Sequence, residues 1–314
     1  AGGRGSSLCC RQAGDSACGV STSTLQRTWS ASERQQRRFA AKNMAYVQWK
    51  RHLPLCYDFF TNHELTVPSP CVRWGHVIST DKETITQRLY YSERGAVVNN
   101  VVIAEASVAT EWSSDPDKMS EFDENLPSKL IEVKAQIPTP EGTEVNRLLS
   151  LSVDEKALLL AKSDLPELHV WDVTTPSSEA APVVRLVGHG KKACESSFAV
   201  AASQPAGSSN AYSIASGDKD GTVLVWELGA QASGPLQPLL RLKGHKDTVE
   251  GVCFSPSSPH SLCSVSDDKS ILFWDARAGG RPVQTLSKAT KVDLHCVGWC
   301  GAAEELVATG AADG

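Results

Sequence analysis

The chain has 314 residues, with 31 basic against 36 acidic side chains, a net charge of −5 and 41% hydrophobic residues. Such a composition can bury a sizeable core, which excludes wholesale disorder, and its mild acidity argues against broad nonspecific nucleic-acid binding, which needs a basic surface. No run approaches the ~18 consecutive apolar residues of a membrane-spanning helix.

Residues 1–32 are rich in Gly, Ser, Ala and Thr and carry no apolar period. They read as a disordered leader, although six Arg against Asp15 and Glu33 over residues 1–40 would also suit a basic arm. Ser32, as N-cap, and Glu33, in the first turn, open a helical pattern that Pro54 ends. Tyr46, Trp49 and Leu53 fall on one helical face. Residues 33–62 are thus a helix and its connection, and from 67 to 314 the character changes. Strands are expected at 71–78, 87–93, 99–108 and 130–137, with a polar insertion at 111–129. Many short strands at regular spacing point to a sandwich, a barrel or a propeller.

The repeat decides among these. Trp171-Asp172, Trp226-Glu227 and Trp274-Asp275 each end a β-rich run, and Gly188-His189 and Gly244-His245 each open one. The tryptophans stand 55 and 48 residues apart, and an inserted loop at 203–210 accounts for the excess. Asp220 and Asp268 lie six before Trp226 and Trp274, and Ser216 and Ser264 lie four before those aspartates. This is the signature of WD-repeat propeller blades. A buried imidazole needs partners on both nitrogens, so His189, Ser216, Asp220 and Trp226, and again His245, Ser264, Asp268 and Trp274, are expected to form structural relays. A Ser-His-Asp triad is rejected because the set recurs in each good repeat. In the repeat ending at Trp171, Leu165 stands where the turn Asp belongs, so its relay is expected to be missing. The expected fold is all-β, with about four and a half blades of a seven-bladed WD-repeat β-propeller after one N-terminal α-helix. The chain reads as C-terminally incomplete: Asp313 is in register with Asp268, and the matching Trp would fall beyond Gly314.

Chemistry-bearing motifs are missing from the sequence. There is no G-x-S-x-G, no phosphate-binding P-loop, no H-E-x-x-H and no G-x-G-x-x-G. The ten cysteines include no C-x-x-C pair, and no secretory h-region or N-x-[ST] acceptor is present. The expectation is free thiols in a reducing compartment, no metal, no cofactor and no enzyme activity.

Tyr46-Val47-Gln48-Trp49-Lys50, Pro54, Tyr57-Asp58, His63-Glu64-Leu65, Val67-Pro68-Ser69 and Arg73-Trp74 resemble the N-terminal helix and first strand of the retinoblastoma-binding, MSI-type histone-binding WD-repeat proteins. Glu144-Val145-Asn146-Arg147, Thr248-Val249-Glu250 and Ile271-Leu272-Phe273-Trp274-Asp275-Ala276-Arg277 are similar too. Gln87-Arg88-Leu89-Tyr90 and Asp293-Leu294-His295 look most like the plant branch associated with flowering control. Val67, Pro70 and Ala289-Thr290 depart from the family pattern.

The resemblance implies a non-catalytic scaffold in the nucleus, holding core histones for chromatin assembly, deacetylase or Polycomb-type complexes. It implies two histone sites. One is a rim that takes a histone tail, matched by Glu144, Asn146, Glu195, Glu250 and His295. The other is a groove for a histone helix, of which Tyr46, Trp49 and Leu53 form one wall. The other wall is a late-blade insertion outside this sequence, so the helix is expected to bind this chain poorly. A competing reading is a substrate receptor of a cullin-based ubiquitin ligase, docking its adaptor through Trp274, Asp275 and Arg277. Neither reading needs sequence-specific nucleic acid or a membrane.

Overall fold

The computed structural model describes residues 44, 46–49, 52, 63–95, 99–109, 130–190, 198–204, 210–303 and 305–314. The expected leader, the start of the N-terminal helix, Leu53, the insertion at 111–129 and Glu195 lie outside them. The chain divides into two units, Ala1–Leu53 and Pro54–Gly314. In the first, the described residues are helical, and the Tyr46 and Trp49 rings sit 5.6 Å apart on one face. Met44, Val47 and Trp49 are exposed.

The second unit is built of strands. β1 (Val72–Thr80), β2 (Thr84–Glu93), β3 (Asn100–Ala109) and β4 (Ile131–Pro138) form an antiparallel meander. β5 (Val145–Val153), β6 (Lys156–Ser163), β7 (Leu168–Asp172) and β8 (Val184–Leu186) form a second. The third comprises β9 (Val200–Ser203), β10 (Ala211–Gly217), β11 (Thr222–Gly229) and β13 (Leu240–Lys243). The fourth is β14 (Val249–Phe254), β15 (Ser261–Ser266), β16 (Ile271–Asp275) and β17 (Gln284–Leu286), and β18 (Leu294–Trp299) pairs with β19 (Val307–Ala311). β12 (Gly234–Leu236), from the loop before β13, leaves its own sheet and pairs in parallel with β8. It covers the outer edge of the second sheet, where open backbone groups would otherwise invite foreign strands. The meanders are the successive blades of a WD-repeat β-propeller.

The second and third sheets are packed on both faces, so their central strands read as nearly continuous apolar runs. Side chains alternate across a strand. Leu159 and Trp171 therefore pack against Tyr90, Val101, Ile103 and Ile137 of the first sheet. Leu158, Leu160 and Val170 face Ile214, Leu224 and Trp226 of the third. Val223, Val225 and Leu242 turn the other way, onto Leu262, Leu272 and Trp274 of the fourth.

The fourth blade holds the complete relay. His245 Nε2 pairs with Ser264 Oγ at 2.7 Å, and its Nδ1 lies 3.1 Å from both Asp268 Oδ2 and Ser270 Oγ. The Trp274 indole N–H donates to the same Ser264 Oγ at 2.8 Å. Asp268 Oδ2 also accepts the Lys246 backbone N–H at 2.8 Å, which ties the loop before β14 to the turn after β15.

The third blade departs from the expected relay in two places. Asp218, not Asp220, meets His189 Nδ1, at 2.9 Å. Asp218 is 2% exposed and closes the tight β10–β11 turn by accepting the Asp220 and Thr222 N–H groups, while Asp220 points into solvent. Trp226 does not reach Ser216; its N–H donates to Val187 O at 3.1 Å. Ser216 is already taken, by His189 Nε2 at 3.1 Å and by the buried Lys162 ammonium of β6 at 2.5 Å. Lys162 Nζ also donates to Gly217 O at 2.7 Å, so one buried cation bridges the second and third blades. Gly221 is required here: φ is +71° and a Cβ would lie 2.6 Å from His245 O.

In the second blade, Ala161 occupies the register position of Ser216 and Ser264, ten residues before the tryptophan. With no hydroxyl there, Trp171 Nε1 is buried without a hydrogen-bond partner among the described residues.

Candidate functional site

The first strands of the sheets, β1, β5, β9, β14 and β18, lie side by side, and a cleft of about 230 Å³ opens among them. Its lining includes Arg73, Arg147, Phe198, Glu250, His295 and Cys296. Each of these strands enters its blade from a loop on the same rim, so residues far apart in sequence converge. Arg147 lies over the Phe198 ring, 5.8 Å from its centroid, and Arg73 is held by the Leu148 and Val72 carbonyls.

Of the expected rim residues, the structure brings Glu250 and His295 together in this cleft. Glu250 is half-buried, and its carboxyl is pushed above the usual range, first by burial and then by Asp267, against the opposing pull of His295, Arg147 and Lys162. Asp267 is likewise pushed up, first by burial and then by Asp293 and Asp247. Its Oδ1 is out of solvent contact with no hydrogen-bond partner among the described residues, and His295 Nδ1 stands 4.0 Å away. These carboxylates resist ionisation because burial and like charges oppose it. An arriving ammonium or guanidinium would offset both with its opposite charge.

Glu144 and Asn146 do not line the cleft. Glu144 is paired with Arg94 at 2.8 Å. Asn146 is buried and donates to Asp164 Oδ1 at 2.8 Å, fixing the turn after β6. Asn146 therefore shapes the rim from behind, and Glu144 has an internal cation that any external one must displace.

The sequence assigns no site role to Asp267, Asp247, Asp293 or Lys162, although Asp293 belongs to a motif that carries the family resemblance. Asp267 had a signal in Asp267-Asp268, where only one carboxylate is used by the relay. Lys162 had one too, as a lone cation ending the apolar run from Ala157. A second cleft of about 420 Å³ lies over the relay loops and mixes Arg241 and Lys243 with Asp218 and Asp220.

At the proposed ligase motif, Trp274 is 1% exposed and spent on Ser264, so it supports the turn and cannot touch a partner. Asp275 and Arg277 are at the surface, joined through two hydrogen bonds of 3.0 and 2.7 Å. The Arg277 guanidinium pulls the Asp275 carboxyl down to about 2.

Residues 45–110 match the family of the histone-binding protein RBBP4, also described as a component of the CAF1 complex, and residues 236–275 match the WD domain, G-beta repeat. The chain is 33% identical over 303 residues to the WD-40 repeat-containing protein MSI4 of Arabidopsis thaliana, an alignment covering 85% of this chain. The chain belongs to the MSI-type WD-repeat family. It spans 58% of the length of that relative. Within this MSI-type chain the matched 45–110 segment runs from the N-terminal helix through β1, β2 and β3, and the WD match ends on Asp275 beside the complete relay.

Proposed function

We propose that this MSI-type chain is a histone-binding scaffold, without catalysis, that works in the nucleus as part of chromatin assembly or histone-modifying complexes. Its partner at the rim is the Lys- and Arg-rich tail of a core histone. The observation that carries this reading is the pair of carboxylates Glu250 and Asp267: Glu250 lines the cleft with His295, and Asp267, its Oδ1 out of solvent contact, lies 4.0 Å from that histidine. Lys and Arg bind such groups through charge-assisted hydrogen bonds. His295 is the local group that a tail side chain would displace from Asp267. Glu144 serves as a second anchor once its pairing with Arg94 is exchanged. Glu195 and the Tyr46, Trp49 and Leu53 wall remain parts of the proposal that rest on the family resemblance.

The test is a fluorescence titration of a labelled core-histone N-terminal peptide. Glu250→Gln is expected to weaken binding by about tenfold, since a hydrogen bond to a charged group contributes roughly 1.5–3 kcal/mol. Arg94→Ala, which frees Glu144, is expected to leave binding unchanged or tighter. Equal affinity for Glu250→Gln and the parent chain would remove the rim from the account.

A second reading is favoured by one observation: Arg277 has a side chain 67% exposed, pre-oriented by Asp275 on the turn after β16. Such a guanidinium is a suitable docking point for a cullin-ligase adaptor. Arg277→Ala should abolish association with that adaptor while leaving the peptide titration unaltered. Adaptor binding that survives the substitution rules this reading out.

A further inference from the structure

The described cysteines are all thiols, and two of them stand together. Cys253 of β14 and Cys263 of β15 are direct cross-strand partners, with their sulfur atoms 3.2 Å apart. Opposed residues in an antiparallel pair have Cα atoms ~4.5–5.5 Å apart, inside the range that a disulfide spans. Both side chains point to the face of the fourth sheet opposite Trp274. Phe273, the partner of Cys263 on β16, shares that face, and Trp299 of β18 meets the Phe273 ring edge-on at 5.8 Å. Cys263 is fully buried, whereas Cys253 is only partly so. The two thiols are therefore unequal: one is reachable by a small oxidant, and the other waits behind it.

We propose that Cys253 and Cys263 form a redox-active dithiol, which a peroxide converts to a disulfide between β14 and β15. The Cys253 thiolate attacks one peroxide oxygen, the O–O bond breaks, and Cys253 sulfenic acid forms with loss of one water after protonation. The Cys263 sulfur then attacks the Cys253 sulfur, forming the S–S bond and expelling the sulfenic oxygen as a second water. Two thiols are oxidised by the loss of two electrons, and one peroxide is reduced. The environment suits this order. Cys253 accepts hydrogen bonds, first from the Cys263 thiol and also from the Trp299 backbone N–H, and its thiol is pulled below the usual range despite burial. The thiolate is the form that reacts, and a resolving cysteine beside it diverts the sulfenic acid from further oxidation.

Trypsin releases both cysteines in one peptide, residues 247–269, because no Lys or Arg intervenes. The intact chain would be exposed to hydrogen peroxide, denatured, alkylated and digested without reductant. The expected product is this peptide unalkylated and lighter by two hydrogen atoms, restored to the doubly alkylated form by dithiothreitol. In Cys263→Ser the reaction should stop at the sulfenic acid, and dimedone should label Cys253 there but scarcely in the parent chain. The proposal is overturned if the parent peptide stays doubly alkylated, carries a sulfinic acid at Cys253, or is found linked to Cys296 or Cys300. The parent-chain measurement decides even where the variant fails to fold.

Discussion

At the residue scale, the two relays show how one polar contact replaces another. Ser264 serves both His245 and Trp274, whereas Ser216 serves His189 and the Lys162 ammonium, which sends Trp226 to a backbone carbonyl. A buried donor left without its acceptor costs about 1–3 kcal/mol, and Asp218 accepts from the Asp220 and Thr222 N–H groups and pairs with His189. Asp218→Ala should therefore lower stability by that amount in urea denaturation. Asp220→Ala, at an exposed position, should stay within about 0.5 kcal/mol. The reverse order would contradict the assignment of Asp218 as the His189 partner. The histidines also set a pH dependence. Burial, the largest effect, holds His189 and His245 below the ordinary 6.5, against the pull of Asp218 and Asp268. The unfolded chain thus takes up protons where the native relays remain neutral. Stability is full above pH 6.5 and declines as pH falls from 6.5 towards the native values. Melting curves between pH 7.5 and 5.5 would show this, and replacing both imidazoles should flatten the profile.

At the element scale, the blades differ in what their tryptophans do. Trp171 and Trp274 are equally buried, at 1% exposure, but only the Trp274 indole is hydrogen-bonded among the described residues. Phe in place of either removes similar volume, so the hydrogen bond is the difference. Trp274→Phe should cost about 1 kcal/mol more than Trp171→Phe, measured by thermal or chemical denaturation; equal costs would mean that the Ser264 bond contributes nothing net. The blades were legible in the sequence because Trp171, Trp226 and Trp274 mark the same strand in each, and because Leu165, in place of the turn carboxylate, betrayed the incomplete relay of the second blade. The relay partner in the third blade was not legible. Spacing placed Asp220 in register with Asp268, but Asp218, two residues nearer the strand, is the one that the turn buries. Ala161 carried a readable signal in the same register, since Ser216 and Ser264 stand ten before their tryptophans. β12 escaped notice because Gly234, Pro235 and Leu236 have no strand propensity of their own; their pairing is supplied by the edge of β8.

For the whole molecule, the propeller brings the starts of its inner strands to one rim. Glu250 and His295 were readable as rim residues through the family resemblance, and the structure sets them in one cleft. Asp267 was not, because its role depends on a turn meeting a strand from the next blade. The cleft also predicts how binding responds to acid. Protonating Glu250 and Asp267, both raised above their ordinary values of 4.5 and 3.8, removes the charges that hold a cationic tail. Peptide affinity should fall as pH drops through those raised values, beginning above the ordinary carboxylate range. In Glu250→Gln that fall should be smaller, and an unchanged pH profile in this variant would assign the titration to other groups.

The most direct test of the rim is photo-crosslinking with a core-histone N-terminal peptide that carries a benzophenone beside its basic residues. The account predicts crosslinks within 247–250, at Asp267 and within 293–296, suppressed by excess unlabelled peptide and reduced in Glu250→Gln. Crosslinks confined to 44–49, or to the surface around Arg277, with the rim unlabelled, would contradict it.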